Sequence, residues 1–290
     1  MSLNSMTGFG RSEGSVGNRQ IAVELKSLNG KQLEINTRIS PLLRPYEPDI
    51  RALLSTALQR GSVDVNINVK QDGASRPMTV NTALARYYFE AMQQISAELQ
   101  LPQEQILPTL MNMPEVVNAS SDVLSEHEWL EVKVLVQNAV RQLQHHRSDE
   151  GQSLYADLIK RITQIETLLT AVAPHEPGRL ERIRGRIRQN LQQSGMEIDE
   201  NRFEAELIYY LEKMDFSEEV VRLSQHCHYF KETMEKPTPT KGKVLGFILQ
   251  EIGREINTLG SKANDASIQQ IVVLMKDELE KAKEQVLNVL

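Results

Sequence analysis

Apolar and polar residues alternate along several short stretches near the N-terminus. Residues 21–28 and 31–39 both alternate, and residues 62–70 do so almost without exception. Period-two alternation places every second side chain on the same face, which is typical of a half-buried strand. Residues 5–11 add a short strand that two glycines interrupt. The pattern therefore predicts four strands in this part of the chain.

The connections between these strands predict how they are arranged. Asn29-Gly30 is a dipeptide suited to a two-residue hairpin turn, in which both central positions need positive φ, so residues 21–28 and 31–39 should form a hairpin. Apolar residues at helical spacing predict a helix over about residues 48–58, ended by Arg60-Gly61. The order of elements implies a mostly antiparallel sheet with a helix covering one face.

From residue 81 onward the apolar positions recur every three or four residues, the period of an amphipathic helix. The predicted helices cover residues 82–99, 125–144, 154–173, 179–193, 243–257 and 267–290, and residues 199–234 are mostly helical. We predict an α+β fold in three parts. An N-terminal α+β domain covers residues 1–75, with the alternative that its sheet extends to about residue 81. A helical middle segment over 76–178 follows, joined through the polar turn at 71–77, and then a helical C-terminal domain over 179–290.

Composition and charge narrow the class of protein. The 290 residues are 40% hydrophobic and 25% charged, the balance of an ordinary soluble globular protein. A single cysteine, Cys227, excludes an internal disulfide framework, and we expect it to be structural. Without a signal peptide or a long apolar run, the chain is expected in the cytoplasm and away from membranes. The net charge of -6 excludes bulk electrostatic coating of nucleic acid, so any contact with RNA needs a local basic patch.

The helix predicted over residues 179–193 carries such a patch, in which only Glu181 offsets the positive charge. Arg182 and Arg186 share one row of the helix, and Arg184 and Arg188 share a neighbouring row. Five arginines are candidates for contact with an RNA backbone: Arg179, Arg182, Arg184, Arg186 and Arg188. With few aromatic residues beside them, recognition by backbone shape is favoured over base stacking. The alternative is a solvated helix face.

Two further helices carry rows of the residue types that cleave phosphodiesters. One row holds Asp215, Glu219, Arg222 and His226, and the other holds Glu251, Glu255, Thr258 and Lys262. Cleavage requires charge stabilisation on the phosphorane oxygens, a proton acceptor and a proton donor. These rows contain all three kinds of group, so we predict that they face one another across the active site.

We assign the roles by chemistry. Glu219, Glu251 and Glu255 would hold a divalent cation, Mn²⁺ or Mg²⁺, because carboxylates one turn apart share a hard cation well. His226 would move a proton, and Arg222, Arg254 and Lys262 would contact the phosphate. Glu206 and Glu218 are second choices as metal ligands. The alternative is that the rows form ion pairs between packed helices, Glu219 with Arg254 or Arg222 with Glu255.

Other familiar sites are absent from the sequence. It contains no Gly-rich phosphate loop, no zinc-ligand spacing of Cys or His, and no nucleophile elbow. His145 and His146 are adjacent, and neighbouring side chains on a helix point about 100° apart. We therefore expect these two histidines at a solvated helix end, not on one metal ion.

Motifs at both ends of the chain resemble those of one bacterial protein family. The N-terminal motifs are residues 5–10 (SMTGFG) and 24–29 (ELKSLN), and the C-terminal motifs are residues 215–223 (DFSEEVVRL), His226 and residues 250–262 (QEIGREINTLGSK). Together they resemble the YicC/YloC family, whose members are described as endoribonucleases. The resemblance implies a metal-dependent endoribonuclease that forms ring-like homo-oligomers, with hexamers expected, and closes around RNA.

The resulting prediction is a metal-dependent endoribonuclease that cleaves single-stranded or structured RNA by hydrolysis or transfer of the phosphodiester. A second hypothesis is a non-catalytic RNA-binding adaptor that presents RNA to another RNA-degradation enzyme. In a third, the chain is a purely structural oligomer and both rows are subunit contacts.

Overall fold

The computed structural model of the protein describes residues 3–71, 78–99, 106–119, 124–193, 200–236 and 241–290. The strands in these ranges are β1 (Gly8–Val16), β2 (Arg19–Leu28), β3 (Leu33–Ile39), β4 (Gly61–Gln71), β5 (Met78–Val80) and β6 (Val117–Ala119). The helices are α1 (Glu47–Ala57), α2 (Thr82–Leu99), α3 (Ile106–Met111), α4 (Glu126–Thr170), α5 (Arg179–Gln193), α6 (Glu200–Lys213), α7 (Ser217–Glu235), α8 (Lys241–Ala263) and α9 (Ala266–Val286). The predicted α+β class is confirmed.

The four N-terminal strands form one sheet in the order β1-β2-β4-β3. β2 lies antiparallel to β1 and to β4, whereas β3 lies parallel to β4. Every second residue of the central strands is buried, as the alternation predicted, and these residues pack against α1 and the first half of α4. The sheet is therefore mostly antiparallel and covered by helices.

The predicted hairpin at Asn29-Gly30 is wrong. Neither residue adopts the positive φ that such a turn requires, and β2 pairs with β4, not with β3. The hairpin instead joins β1 to β2 through Gly17-Asn18, where Gly17 has φ 56°. β3 reaches the sheet edge and returns to β4 through a 3₁₀ turn and α1, the crossover that parallel neighbours need. Alternation identifies strands but not their partners.

α4 is one helix of 45 residues where two separate helices were predicted. Gly151 lies inside this helix, and a Cβ there would meet the carbonyl oxygen of Leu3 at 1.8 Å. This glycine therefore serves close packing. His145 and His146 also lie inside the helix with exposed side chains, not at a helix end as predicted.

The second half of α4 packs with α7, α8 and α9 around a separate core. Its largest fully buried side chains include Leu158, Ile162 and Phe230. The N-terminal segment joins this half, because the main-chain nitrogen of Leu290 donates to the carbonyl of Asn4 at 3.0 Å. α4 thus contributes to both cores and links the sheet to the helices that carry the candidate site.

The segment of the chain between β4 and α4 contains β5, β6, α2 and α3. β5 and β6 form a separate two-stranded antiparallel sheet, so the strand region near residue 80 does not extend the main sheet. Most of the predicted polar turn at 71–77 lies outside the described residues. In the described part of the chain, no helix combines the length and apolar character that crossing a membrane demands.

Candidate active site between α7 and α8

The α7 and α8 helices pack side by side in opposite directions. Near one end of the pair, Lys262 Nζ donates to Glu219 Oε1 at 2.7 Å. At the other end, Lys241 Nζ donates to the main-chain oxygen of Met234 at 2.8 Å. The two contacts join the start of each helix to the end of the other. The helices are therefore antiparallel, and the two predicted rows meet along their interface at Glu219 and Lys262.

Glu219 is the most deeply buried of the predicted site residues on these helices. Only 4% of its surface is exposed. Its Oε1 accepts from Lys262, whereas its Oε2 is buried without a hydrogen-bond partner in the described structure. A buried carboxylate oxygen without a donor carries a desolvation cost that folding does not recover. A water molecule, an ion or another ligand can supply the partner that such an atom lacks.

Glu255 and His226 lie at a common level of the helix pair. Glu255 precedes Lys262 by seven residues and His226 follows Glu219 by seven, so each lies about 10 Å from the ion pair along antiparallel helices. Glu255 is buried, with 6% of its surface exposed, and His226 is half-buried. Neither has a hydrogen-bond or ion-pair partner among the residues that the structure describes. His226 is therefore accessible to a ligand, whereas Glu255 contacts only a ligand that reaches into the interface.

The two predicted arginines lie at the exposed rim and pair within their own helices. Arg222 forms an ion pair with Glu218, one turn away on α7. Arg254 Nη1 lies 3.0 Å from Glu251 Oε2 on α8. The pairings proposed as the alternative, Glu219 with Arg254 and Arg222 with Glu255, are not those that the structure shows.

Of two other predicted acidic residues, one lies on α6 and the other, Asp215, precedes α7. Glu206 is exposed on α6. Asp215 accepts hydrogen bonds from the side chain and main chain of Ser217 at 2.5 and 2.9 Å, and these bonds lower the pKa of Asp215. Asp215 thereby fixes the first turn of α7, the turn that carries Glu219.

The three predicted metal ligands do not converge within one chain. Across the described ranges, no group of three His, Cys, Asp or Glu side chains is placed to hold a metal ion. Glu219 and Lys262 pair at one level and Glu255 lies about two turns away, while Glu251 pairs with Arg254. The residues described here do not by themselves fit a divalent cation, and metal dependence stays a prediction.

Arg179 differs from the other arginines of α5 because its side chain is buried, with 2% of its surface exposed. Its guanidinium donates to the main-chain oxygens of Ala263 and Met214, each at 3.0 Å, and lies 4.6 Å from the ring centroid of Phe216. Burial lowers the pKa of Arg179. This residue therefore joins the end of α8 to the segment that enters α7, next to the Glu219–Lys262 pair.

The remaining arginines of α5 are more exposed. Arg182 Nη2 lies 3.1 Å from Asp265 Oδ2. Arg184 pairs with Glu204, and Arg188 lies 5.9 Å from the ring centroid of Phe203. Arg186 is exposed and has no partner among the described residues. Two of these four arginines are thus paired with carboxylates, and contact of the helix with RNA stays a prediction.

The sequence reading missed the residues at the start of α9. Asn264 has φ 44°, and Asp265 caps α9 by accepting from the main-chain nitrogens of Ser267 and Ile268 at 2.9 and 3.2 Å. An Asn-Asp dipeptide before an amphipathic stretch is a helix-start signal that could have found them. No local pattern, however, indicates that they lie against Arg182.

Family models and curated relatives match nearly the whole chain. A model described as "Endoribonuclease YicC-like, N-terminal region" matches residues 3–156, and one described as "Endoribonuclease YicC-like, C-terminal" matches residues 172–290. A protein of Clostridioides difficile (strain 630) named "Probable endoribonuclease YicC" is 29% identical, covering 98% of this chain and 99% of the relative. Its namesake in Haemophilus influenzae is 28% identical, covering 99% of both chains. The chain belongs to the family of YicC-like endoribonucleases.

Proposed function

We propose that this protein is an endoribonuclease whose catalytic centre is the row of Glu219, Lys262, Glu255 and His226 between α7 and α8. The observation that carries the assignment is Glu219, which is buried, held by Lys262 through one oxygen and without a partner at the other. The relatives named as probable endoribonucleases match this chain almost from end to end, so the whole fold is shared with them.

The row supplies the groups that phosphodiester cleavage needs. The ammonium of Lys262, about 10 Å along the helix pair from His226 and Glu255, holds a phosphate next to the one that is cleaved. His226 and Glu255, at one level of the interface, exchange protons with the attacking and leaving oxygens. Glu219 holds the Lys262 side chain in place. Arg222 and Arg254 at the rim contact neighbouring phosphates of the RNA.

RNA is bound along the exposed face of α5. Arg182, Arg184, Arg186 and Arg188 form two rows on this helix, and the chain as a whole is acidic, so the positive charge is local. Contacts of this kind recognise the phosphate backbone of single-stranded or structured RNA without reading its bases.

Dependence on Mn²⁺ or Mg²⁺ forms part of the proposal. Carboxylate oxygens are the ligands that hard cations prefer, and Glu219 offers a buried oxygen without a partner in the described structure. The described residues of one chain do not complete a ligand set. An ion held here would take its further ligands from RNA or from a second copy of the chain.

A ring-like homo-oligomer, with six copies expected, would place several such sites around one RNA. The support comes from α2, whose apolar residues recur at helical spacing although none of its side chains is buried. Tyr87, Ile95 and Leu99 are each more than half exposed. An amphipathic helix buries its apolar face in a stable protein, so we assign this face to a neighbouring copy.

The second candidate function is a non-catalytic RNA-binding adaptor that delivers RNA to another RNA-degradation enzyme. The exposed arginine rows on α5 together with the separation of the predicted metal ligands favour it. Cleavage by homogeneous protein separates the two functions.

The decisive experiment measures RNA cleavage by purified protein on denaturing gels, with EDTA, Mg²⁺ or Mn²⁺. Cleavage by the wild type and a loss of at least about 100-fold in Glu219→Gln are expected, the loss typical of a removed electrostatic group. Glu232→Gln is the matched control, since Glu232 lies on the same helix, paired with Lys236 at 3.1 Å. Full activity of Glu219→Gln would remove the assignment. No cleavage by the wild type under any condition would favour the adaptor.

RNA binding by α5 is tested separately through its salt dependence. Replacing Arg184 and Arg188 by Gln should weaken RNA binding and reduce the slope of log K against log [salt] by about 0.7 for each lost contact with single-stranded RNA. The slope comes from fluorescence anisotropy at several salt concentrations. An unchanged slope would show that these arginines form only a solvated face.

A further inference from the structure

A cavity of about 200 Å³ lies between the first turns of α5 and the turn that enters α9. Its lining consists of Arg179, Arg182, Ile183, Arg186, Asn264, Asp265 and Ala266. Three of these seven residues are arginines that lie far from Asp265 in the sequence. The fold, not a local motif, brings them together.

Arg179 forms the floor of this cavity. Its Nη1 and Nη2 atoms are occupied by main-chain oxygens, Ala263 O and Met214 O at 3.0 Å each, with Nη1 also 3.4 Å from Lys262 O. Its Nε is buried and has no hydrogen-bond partner in the described structure. The Nε atoms of Arg147 and Arg161 are in the same state, but that of Arg179 belongs to a residue that lines a cavity, where a ligand oxygen can reach the side chain.

The rim of the cavity has an excess of positive charge. Arg182 is paired with Asp265 at 3.1 Å, and Asp265 also caps α9. Arg186 has no partner among the described residues. Three arginines against one aspartate leave a lining charge of +2. Glu176 and Asp215 also act on Arg179 electrostatically, but they do not line the cavity.

We propose that this cavity binds a phosphate monoester at the end of an RNA chain. A monoester carries about -1.5 to -2 charges at pH 7 and three strong acceptor oxygens, so it gains more from the lining arginines than a singly charged internal phosphodiester does. Guanidinium groups match phosphate oxygens in geometry and donate charge-assisted hydrogen bonds to them. The inference rests on RNA being the ligand of this protein, as proposed above.

The position of the cavity connects it with the candidate active site. The Arg179 side chain on its floor also contacts the main-chain oxygen of Lys262, whose ammonium pairs with Glu219. A terminal phosphate held here would place the adjoining nucleotides beside the α7–α8 interface. The protein would then prefer an RNA that carries a monophosphate at its 5′ or its 3′ end.

The test compares three short RNA oligonucleotides of one sequence with an internal fluorescein label. One carries a 5′-phosphate, one a 3′-phosphate and one neither, and all are 2′-O-methylated to slow cleavage. Fluorescence anisotropy with the full-length protein should show about tenfold tighter binding of one phosphorylated form than of the unphosphorylated form. The preferred end identifies the source of the monoester. Equal affinity for all three would overturn the proposal.

Two arginine variants separate the cavity from the rest of α5. Arg186→Gln should bring the affinity ratio of phosphorylated to unphosphorylated RNA close to one. Arg184→Gln is the matched control, because Arg184 lies on the same helix but does not line the cavity. It should weaken binding of all three RNAs alike and preserve the ratio. A similar fall of the ratio in both variants would contradict a localised site.

Competition and cleavage complete the experiment. Inorganic phosphate should compete with the phosphorylated RNA and leave binding of the unphosphorylated RNA almost unchanged. If the protein cleaves no RNA, the catalytic proposal fails. The affinity ratio of phosphorylated to unphosphorylated RNA still tests whether the cavity binds a terminal phosphate. If it cleaves RNA but binds all three ends equally, the cavity proposal alone fails.

Discussion

Glu219 and Arg179 are the buried charged residues on which the candidate site depends, and each is only partly satisfied. Glu219 has one oxygen without a partner, and Arg179 has one nitrogen without a partner. Both contact Lys262: Glu219 accepts from the ammonium of Lys262, and Arg179 donates to the main-chain oxygen of Lys262. Because two such atoms lie close to one lysine, we expect function in the region around Lys262.

Removing Lys262 should destabilise the protein more than removing the charge of Glu219. Lys262→Met leaves the buried carboxylate without its cation and should lower the free energy of unfolding by about 2–3 kcal/mol, since a broken buried pair leaves an uncompensated charge. Glu219→Gln removes that charge and should cost about 1 kcal/mol. Urea denaturation measures both. A smaller loss in Lys262→Met than in Glu219→Gln would contradict a buried, charged Glu219.

Cys227 should be chemically inert in the folded protein. Burial raises the pKa of its thiol to about 12, so the reactive thiolate is nearly absent at pH 8. Iodoacetamide at pH 8 should modify it only after unfolding in urea, as mass spectrometry can show.

Because the pKa of Cys227 in the folded protein lies above the ordinary value of 9.0, the stability associated with this group is present below pH 9 and is lost as the pH rises toward 12. Rapid labelling of folded protein would contradict this burial.

At the scale of elements, glycines set how closely α4 approaches the N-terminal strands. A Cβ at Gly10 of β1 would lie 2.1 Å from the carbonyl oxygen of Ala139 on α4, and a Cβ at Gly151 would lie 1.8 Å from that of Leu3. These contacts are between backbones and have no side chain that could move aside. α4 can therefore join both cores only because β1 carries glycine at position 10 and α4 carries glycine at position 151.

Gly10→Ala should be strongly destabilising, while the same change on α5 should not be. We expect a loss of about 2 kcal/mol or more for Gly10→Ala, because β1 must move away from α4. Gly185→Ala is the control. It lies within a helix with nothing within 4 Å of the added Cβ, so it should stabilise by up to about 1 kcal/mol. Both values come from urea denaturation. Equal behaviour of the two variants would show that β1 and α4 are not in close contact.

At the scale of the whole molecule, apolar surface is left uncovered on the described chain. α2 has no buried side chain, and exposed apolar residues also occur on α3 and α6, among them Leu107, Ile208 and Tyr209. Large exposed apolar patches on a soluble protein mark places where another molecule binds. Together with the proposed ring, this surface favours contact between copies of the chain.

Replacing Tyr87, Ile95 and Leu99 by Ser should reduce the oligomeric state. These side chains are 68%, 52% and 64% exposed in the single chain, so their loss should weaken subunit contacts and leave the fold of each chain intact. Light scattering coupled to size exclusion measures the mass, and circular dichroism checks the helix content. An unchanged mass would place the subunit interface elsewhere.

The sequence by itself determined the elements and many of the functional residue types. Alternation located the strands around Val23, Val65 and Ile35, and helical periodicity located α2 and α5 with their bounds. These features are local: each follows from side chains within a few residues of one another. The motifs at both ends also sufficed to recognise the family.

Only the tertiary structure decided which elements and which charges meet. Asn29-Gly30 has the composition of a hairpin turn. The chain instead places β3 parallel to β4 at the edge of the sheet, because α1, which connects the two strands, buries its apolar residues in the core beside the sheet. Arg179 and Arg182 belong to the same run of arginines in the sequence. In the structure Arg179 is buried, whereas Arg182 is exposed. Lys262 instead of Arg254 pairs with Glu219 because antiparallel packing of α7 and α8 brings their opposite ends together. Partners distant in the sequence depend on packing of the whole chain, which no local pattern encodes.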